Sequence, residues 1–456
     1  MSVMKIASVS LFSLFVLAGC NSVSQSVDNA KLLRGWDEPT ELDRLQIPPN
    51  WTPFKNYNEQ EKQLAALQRW SNRYQLVGPF SDFLRAECPN ALKNWKDTLD
   101  YEMSVKADVE KSVSMIDAKE RDKYRKLTIQ SCFDPLVQAD FASKNITNTV
   151  PEILLYWSRN DSVKLPTSSS LRTEYQRNQN YTAIHSISAF TSLYVMNYDR
   201  YTISLTERKE IEAYLARMLM KIDIAGVRES GRSTCDANDL SRTISGIRNG
   251  RIDSNGCGSS MWKTSIARLL FGLKFNNDVV FKQGISDIKW QMNFFDADGT
   301  FVTWALKGPN AYHYSNQVSQ MLGVVTEIFG TLGYEFLNYE NSYGVTVKRI
   351  SERQVEIFKD PHELDEYVMM TSGYRGVSSS KYLKMTRDEI IKETHLSYAA
   401  LARNMSRYAK AYDADLYDHL QPYYEKPESD YDRGVFWKSV NSFMPVDPYM
   451  IFSSNK

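Results

Sequence analysis

Apolar residues recur at three- and four-residue spacing along most of the chain, the pattern of amphipathic helices. Leu64, Leu67, Trp70 and Tyr74 form one such stripe. Ile211, Leu215, Met218 and Ile222 form another, and Ser204-x-x-Glu207 ahead of it reads as a capping box. Further stripes run through Ile266, Leu269, Leu270 and Leu273, then through Ile285, Ile288 and Met292. Another holds Val318, Met321, Leu322, Val325, Phe329 and Leu332, and a last one Leu396, Leu401, Met405 and Tyr408. Strand-like alternation is scarce, with Tyr343 to Val347 alternating briefly beside a helical pattern. The polar stretches 159–180, 228–260 and 371–381 read as loops. Amphipathic helices in succession, without heptads and without an exact repeat, predict an all-α protein of helical hairpins packed in a ring or solenoid.

The N-terminus departs from this pattern. Lys5 precedes an uncharged apolar run from Ile6 to Leu17, which is too short to span a membrane and reads as a secretory signal. Its end, Leu17-Ala18-Gly19-Cys20, resembles the bacterial lipobox, in which the cysteine is lipidated and becomes the first residue of the mature chain. Asn21 and Ser22 follow, with no Asp after the cysteine, a sorting pattern that implies the periplasmic side of the outer membrane of a Gram-negative bacterium. The expected organisation is therefore a signal peptide over 1–19, a membrane tether over 20–55 and a helical domain over 56–456. The tether is polar and holds Pro48-Pro49 and Pro53. No later segment offers about 20 consecutive apolar residues, so the lipid on Cys20 is the expected membrane anchor.

Composition adds exclusions. Of 456 residues 42% are hydrophobic and 24% charged, which argues for a folded chain. Lys plus Arg and Asp plus Glu both number 55, so there is no electrostatic footprint for nucleic acid. Beyond Cys20 the cysteines are Cys88, Cys132, Cys235 and Cys257. An even count in an oxidising compartment suggests two disulfides, with Cys88–Cys132 and Cys235–Cys257 the sequential pairing among three connectivities; free buried thiols are the alternative. The absence of a Cys-x-x-Cys pair argues against structural zinc. Phosphate-binding loops, zinc-protease motifs and nucleophile elbows are also missing. The 228–260 stretch carries Arg228, Arg232, Arg242, Arg248 and Arg251, which suit carboxylates, but also Asp236, Asp239 and Asp253, which can pair with them.

The segment 255–340 is the most informative. An Asn-rich stretch from Asn255 ends in Trp262; Asp298-Gly299-Thr300-Phe301 forms a turn; Lys307 follows; and Ala311-Tyr312-His313-Tyr314 heads a helix that ends near Gly333. Phe336 to Gly344 then gives an aromatic segment and a glycine. This order and spacing resembles the alginate lyase domain of polysaccharide lyases with an (α/α) toroid fold.

The resemblance implies β-elimination on an acidic, uronate-containing polysaccharide, with no metal or cofactor required. That chemistry removes the hydrogen at C5, beside a carboxylate whose charge must be offset. A Tyr or His takes the proton, and an acid protonates the departing O4. Carried over by position, Tyr314 is the expected acid-base group and His313 its partner or a carboxylate ligand. Asn255 is the expected neutraliser. Lys307 stands where the family usually has Arg, and with Arg248 is expected to bind substrate carboxylates. Tyr312 is kept because the local alignment can slip, and Trp262 is a sugar-stacking candidate against the alternative of core packing.

The sequence departs from the family at Cys257, where many relatives have a His. Asn255 then serves alone, or His185 in Asn180-Tyr181-Thr182-Ala183-Ile184-His185 replaces the missing imidazole. The departure also admits a non-catalytic polysaccharide-binding or export-assembly lipoprotein. A glycoside hydrolase would need two carboxylates about 5–10 Å apart. Asp296, Asp298 and Glu327 are candidates, although an Asp-Gly turn accounts for the first two.

Overall fold

Three helical hairpins follow one another and set the architecture. The computed structural model describes residues 40–49, 148–161, 163, 174–222, 240–249, 259–370, 373–374, 377–393, 414–415 and 418–419. Within them lie α1 (Thr149–Asn160), α2 (Glu174–Asn197), α3 (Leu205–Lys221), α4 (Leu240–Arg248), α5 (Ser259–Phe275) and α6 (Asp278–Met292). The chain continues through α7 (Val302–Ala305), α8 (Ala311–Thr331), α9 (Val347–Lys359), α10 (Asp365–Met369), α11 (Ser379–Tyr382) and α12 (Arg387–Glu393). The hairpins are α2–α3, α5–α6 and α8–α9.

The first helices of the hairpins form one row. Ser188 of α2 hydrogen-bonds Thr264 of α5 at 3.0 Å. Further along both helices, Tyr198 meets Phe275 edge-on with ring centroids 5.1 Å apart, and Lys274 pairs with Asp199 at 2.7 Å. The two helices therefore run parallel. Helix α5 also packs on α8, while α3 packs on α6 behind them. Parallel inner helices with antiparallel outer ones are the arrangement of an (α/α) toroid, the fold class expected from the sequence.

Within the second hairpin the helices touch backbone to side chain. A Cβ at Gly272 would lie 2.5 Å from Phe281 Cβ, and one at Gly284 would meet Leu269 and Arg268 at 3.0–3.1 Å. Gln291 donates to Ser265 Oγ at 2.6 Å near the far end. Between the helices the buried pair Arg268–Asp287 forms, and Arg268 also donates to the carbonyls of Leu219 and Ile222. Those carbonyls are at the end of α3, where a helix leaves acceptors unfilled, so the guanidinium fastens one hairpin to the next.

The apolar stripes read from the sequence are core. Ile211, Leu215, Met218 and Ile222 are buried, as are Ile266, Leu269, Leu270 and Leu273, Ile285, Ile288 and Met292. On α8 Val318, Met321, Leu322, Val325 and Phe329 are buried too. Ser204 and Glu207 close the predicted capping box, with Glu207 N–H donating to Ser204 Oγ at 3.2 Å and Ser204 N–H to Glu207 Oε2 at 2.9 Å.

Four expectations need correction. The stretch 159–180 is not loop throughout, because α2 begins at Glu174. The stretch 228–260 is not loop throughout, because α4 occupies Leu240–Arg248. The stretch 371–381 contains an antiparallel pair of two-residue strands, β1 (Gly373–Tyr374) and β2 (Val377–Ser378), followed by α11. The alternation at Tyr343 to Val347 is a tight turn: Gly344 N–H donates to Asn341 O at 3.1 Å, Glu340 bridges Thr346, and a helix begins at Val347. In addition, residues 40–45, inside the expected tether, dock on α6. Leu42 is buried, Asp43 pairs with Lys289 at 2.5 Å, and Lys282 donates to the carbonyls of Asp43 and Leu45. The signal segment with Cys20, the stripes at 64–74 and 396–408, and Cys88, Cys132, Cys235 and Cys257 lie outside the described residues.

Candidate functional site

A tight turn delivers the chain from α6 to the head of α8. Asp296 N–H donates to Thr300 O at 2.9 Å and Gly299 N–H to Asp296 O at 2.8 Å. Gly299 has φ +91°, and a Cβ there would press on Ile350 Cα at 3.0 Å, so both conformation and space require glycine. Asp298 accepts from Thr300 N–H and Oγ1 at 2.8 Å and lies 3.3 Å from the Arg353 guanidinium. Asp296 accepts from Tyr367 at 3.1 Å, and burial together with Asp298 and Asp296 pushes that phenol well above its usual range. Both carboxylates thus hold the turn, as an Asp-Gly turn leads one to expect. The side chain of Glu327 lies outside the described residues.

Beyond the turn, α7 is buried along its length and is capped by Leu306. Gly308 takes φ +55° and Pro309 follows it, so the chain reverses sharply before Ala311 starts α8. This reversal sets Lys307 and the first turn of α8 against each other. The Lys307 ammonium lies 5.5 Å from the centroid of the Tyr314 ring. Trp304 packs on Tyr314 with centroids 5.7 Å apart, and His313 stands edge-on to it at 5.1 Å. Tyr314 is half-buried at the margin of the core, whereas Lys307 is only 4% exposed.

Successive residues on a helix point about 100° apart, and this separates the three aromatic candidates on α8. Tyr312 is fully buried, so it faces the core and is corrected from substrate contact to packing. His313 is half-buried; its Nε2 meets Gln317 Nε2 at 2.8 Å one turn later, and its Nδ1 is enclosed. Trp262 is also corrected: it is wholly buried and packs on Phe301 at 6.3 Å, leaving no ring face for a sugar.

Two of the other candidates are placed by their backbone alone. Helix α4, which carries Arg242 and ends at Arg248, packs on α7, the helix that leads to Lys307. The backbone of His185 lies one turn before Ser188 on α2, level with the first turn of α5 by the parallel register. The side chains of Arg248 and His185, and Asn255 and Cys257 entirely, lie outside the described residues. Two contributors were not singled out in the sequence. Trp304 sits three residues before Lys307, and Gln317 is four residues after His313, the spacing of one helix face.

No family model matches the chain, and no curated protein matches it. Solved structures resembling it include alginate lyase A1-III from Sphingomonas species A1, at 13% identity over 65% of this chain and 72% of that one, with a TM-score of 0.41. A histidine-to-alanine variant of alginate lyase A1-III complexed with tetrasaccharide gives 14% identity over 65% of this chain and 75% of that one, TM-score 0.42. A tyrosine-to-phenylalanine variant, also complexed with tetrasaccharide, gives 14% over 62% and 73%, TM-score 0.42.

Proposed function

We propose that this protein is a polysaccharide lyase that cleaves an acidic, uronate-containing polymer of the alginate type by β-elimination. The observation that carries the reading is the Lys307 ammonium set against the Tyr314 ring at the head of α8. The reaction needs a cation to offset the uronate carboxylate and a group beside it that can take a proton from C5. Lys307 supplies the first and Tyr314 the second. The C5–H bond breaks, its electron pair forms the C4–C5 double bond, and the C4–O4 bond breaks as O4 receives a proton. Tyr314 serves as the acid-base group; Asn255, Arg248 and His185 are assigned to the carboxylate side. His313 braces the Tyr314 ring and is held in turn by Gln317. The protein is anchored through lipid on Cys20 at the periplasmic face of the outer membrane.

Two observations favour a second reading, a polysaccharide-binding or export-assembly lipoprotein without chemistry. Lys307 is nearly closed off from solvent, and the chain has Cys257 where relatives of the resembled family carry a His. Incubation of the purified protein with a panel of polyuronates separates the two. Elimination yields products with the ultraviolet absorbance of an unsaturated uronate, hydrolysis yields reducing ends without it, and a binding protein yields neither.

A further inference from the structure

His362 lies on the turn Pro361–Leu364, which packs on α8. Its Nδ1 is 3.0 and 3.1 Å from the two carboxylate oxygens of Asp365, and its Nε2 is 2.8 Å from the carbonyl oxygen of Met385. An ionised carboxylate and a backbone carbonyl only accept hydrogen bonds. Both contacts therefore require an N–H on the ring, and only the imidazolium carries two. A neutral ring keeps one contact and turns a lone pair toward an acceptor at the other. The side chain is 31% exposed, so its proton can exchange with solvent.

Met385 joins α11 to α12, so the contact on Nε2 fastens that helix pair to the 361–369 turn. Tyr382 reinforces it by donating to Pro361 O at 3.2 Å, its ring 6.1 Å from His362. Helix α11 and the strand pair ahead of it pack on Gly308–Asn310, the reversal between Lys307 and α8. We propose that His362 is a pH-operated staple: protonated, it bonds Asp365 and Met385 at once, locking α11 and α12 to the 361–369 turn and bracing the Gly308–Asn310 reversal, and on losing its proton it gives up one of these two contacts.

The charges acting on the ring are Asp365 and Asp360. Glu363, on the same turn, is drawn to Arg353 of α9. Arg387 of α12 lies over the Phe358 ring at 5.2 Å, Lys381 of α11 and Glu366 of α10 are exposed, and Tyr312 of α8 is near Tyr382 rather than the imidazole. Burial alone would lower the His362 pKa, but the hydrogen bonds to Asp365 and Met385 and the charges of Asp365 and Asp360 raise it above its ordinary value. A pKa raised on folding gives stability that is complete below the unfolded value of about 6.5 and is lost as pH rises through the folded value.

The test is a pH titration of the histidine ring resonances in the full chain by NMR, with His362 assigned from its absence in H362Q, alongside thermal unfolding of both proteins. The expected result is a His362 titration above the ordinary value. The melting temperature of the wild type should exceed that of H362Q at low pH, the gap closing as pH rises through that value. D365N should move the titration of His362 downward, which decides the matter even where H362Q fails to fold. A His362 pKa at or below the ordinary value, or one unmoved in D365N, overturns the staple whatever the protein's activity on polysaccharides.

Discussion

The Lys307 ammonium sits 5.5 Å from the centroid of the Tyr314 ring, and the two residues are brought together by one left-handed glycine, Gly308, between them. A cation over an aromatic face is attracted by the ring quadrupole. The contact thus holds the ammonium against the phenol ring at the head of α8.

Replacing Lys307 with Met keeps most of the buried stem and removes the charge over the Tyr314 ring. Elimination should fall through a weaker transition state, by about 10²–10³ for the loss of one charge-stabilising donor. Arg at the same position should retain activity. Turnover on a polyuronate, measured beside melting temperature, checks this. Full activity in Lys307→Met would remove the lysine from the site.

Gly308→Ala should separate local geometry from side-chain chemistry. The φ of +55° is costly for any residue with a Cβ, about 1–3 kcal/mol. The variant is expected to melt lower and to lose activity together, because the Lys307–Tyr314 spacing depends on that reversal. Unfolding curves and turnover on one preparation report both.

Asp287→Ala leaves Arg268 charged and buried between two hairpins. Breaking a buried pair from one side costs about 3–5 kcal/mol, so a large fall in melting temperature is expected. Replacing both residues with apolar ones should recover part of the loss. Denaturant unfolding of the single and double variants measures the difference.

Gly272→Ala places a methyl group 2.5 Å from Phe281 Cβ, between α5 and α6. Overpacking of that kind costs about 1–3 kcal/mol, even though alanine is the better helix former. A melting temperature equal to or above wild type would mean that the helices separate at no cost.

Much of this fold is legible in the sequence because the signal is local. Three- and four-residue spacing marks the buried faces of α3, α5, α6 and α8, and Ser204-x-x-Glu207 marks where α3 starts. Parallel packing of α2 on α5 is not legible, since it rests on Ser188 meeting Thr264 across a long stretch of chain. Nor is the strand pair at 373–378, too short for alternation to register. At the site, the sequence puts Lys307 and Tyr314 on the same short segment but does not tell which way a ring points. Tyr312 and Trp262 have the composition of sugar-binding residues, and only their depth in the core shows them to be packing. His362 has no motif; its role follows from Asp365 and Met385 converging on opposite edges of one ring.

Side-by-side elimination by the wild type and Tyr314→Phe tests the central claim most directly. The substitution removes one oxygen and leaves the ring that packs on Trp304 and His313, so melting temperature and polymer binding should hold. Loss of a general acid-base group typically costs about 10²–10⁴ in rate, and the unsaturated product should fall by that factor. A Phe variant with wild-type turnover, or a wild type that forms no unsaturated product from any polyuronate, would contradict Tyr314 as the acid-base group of a lyase.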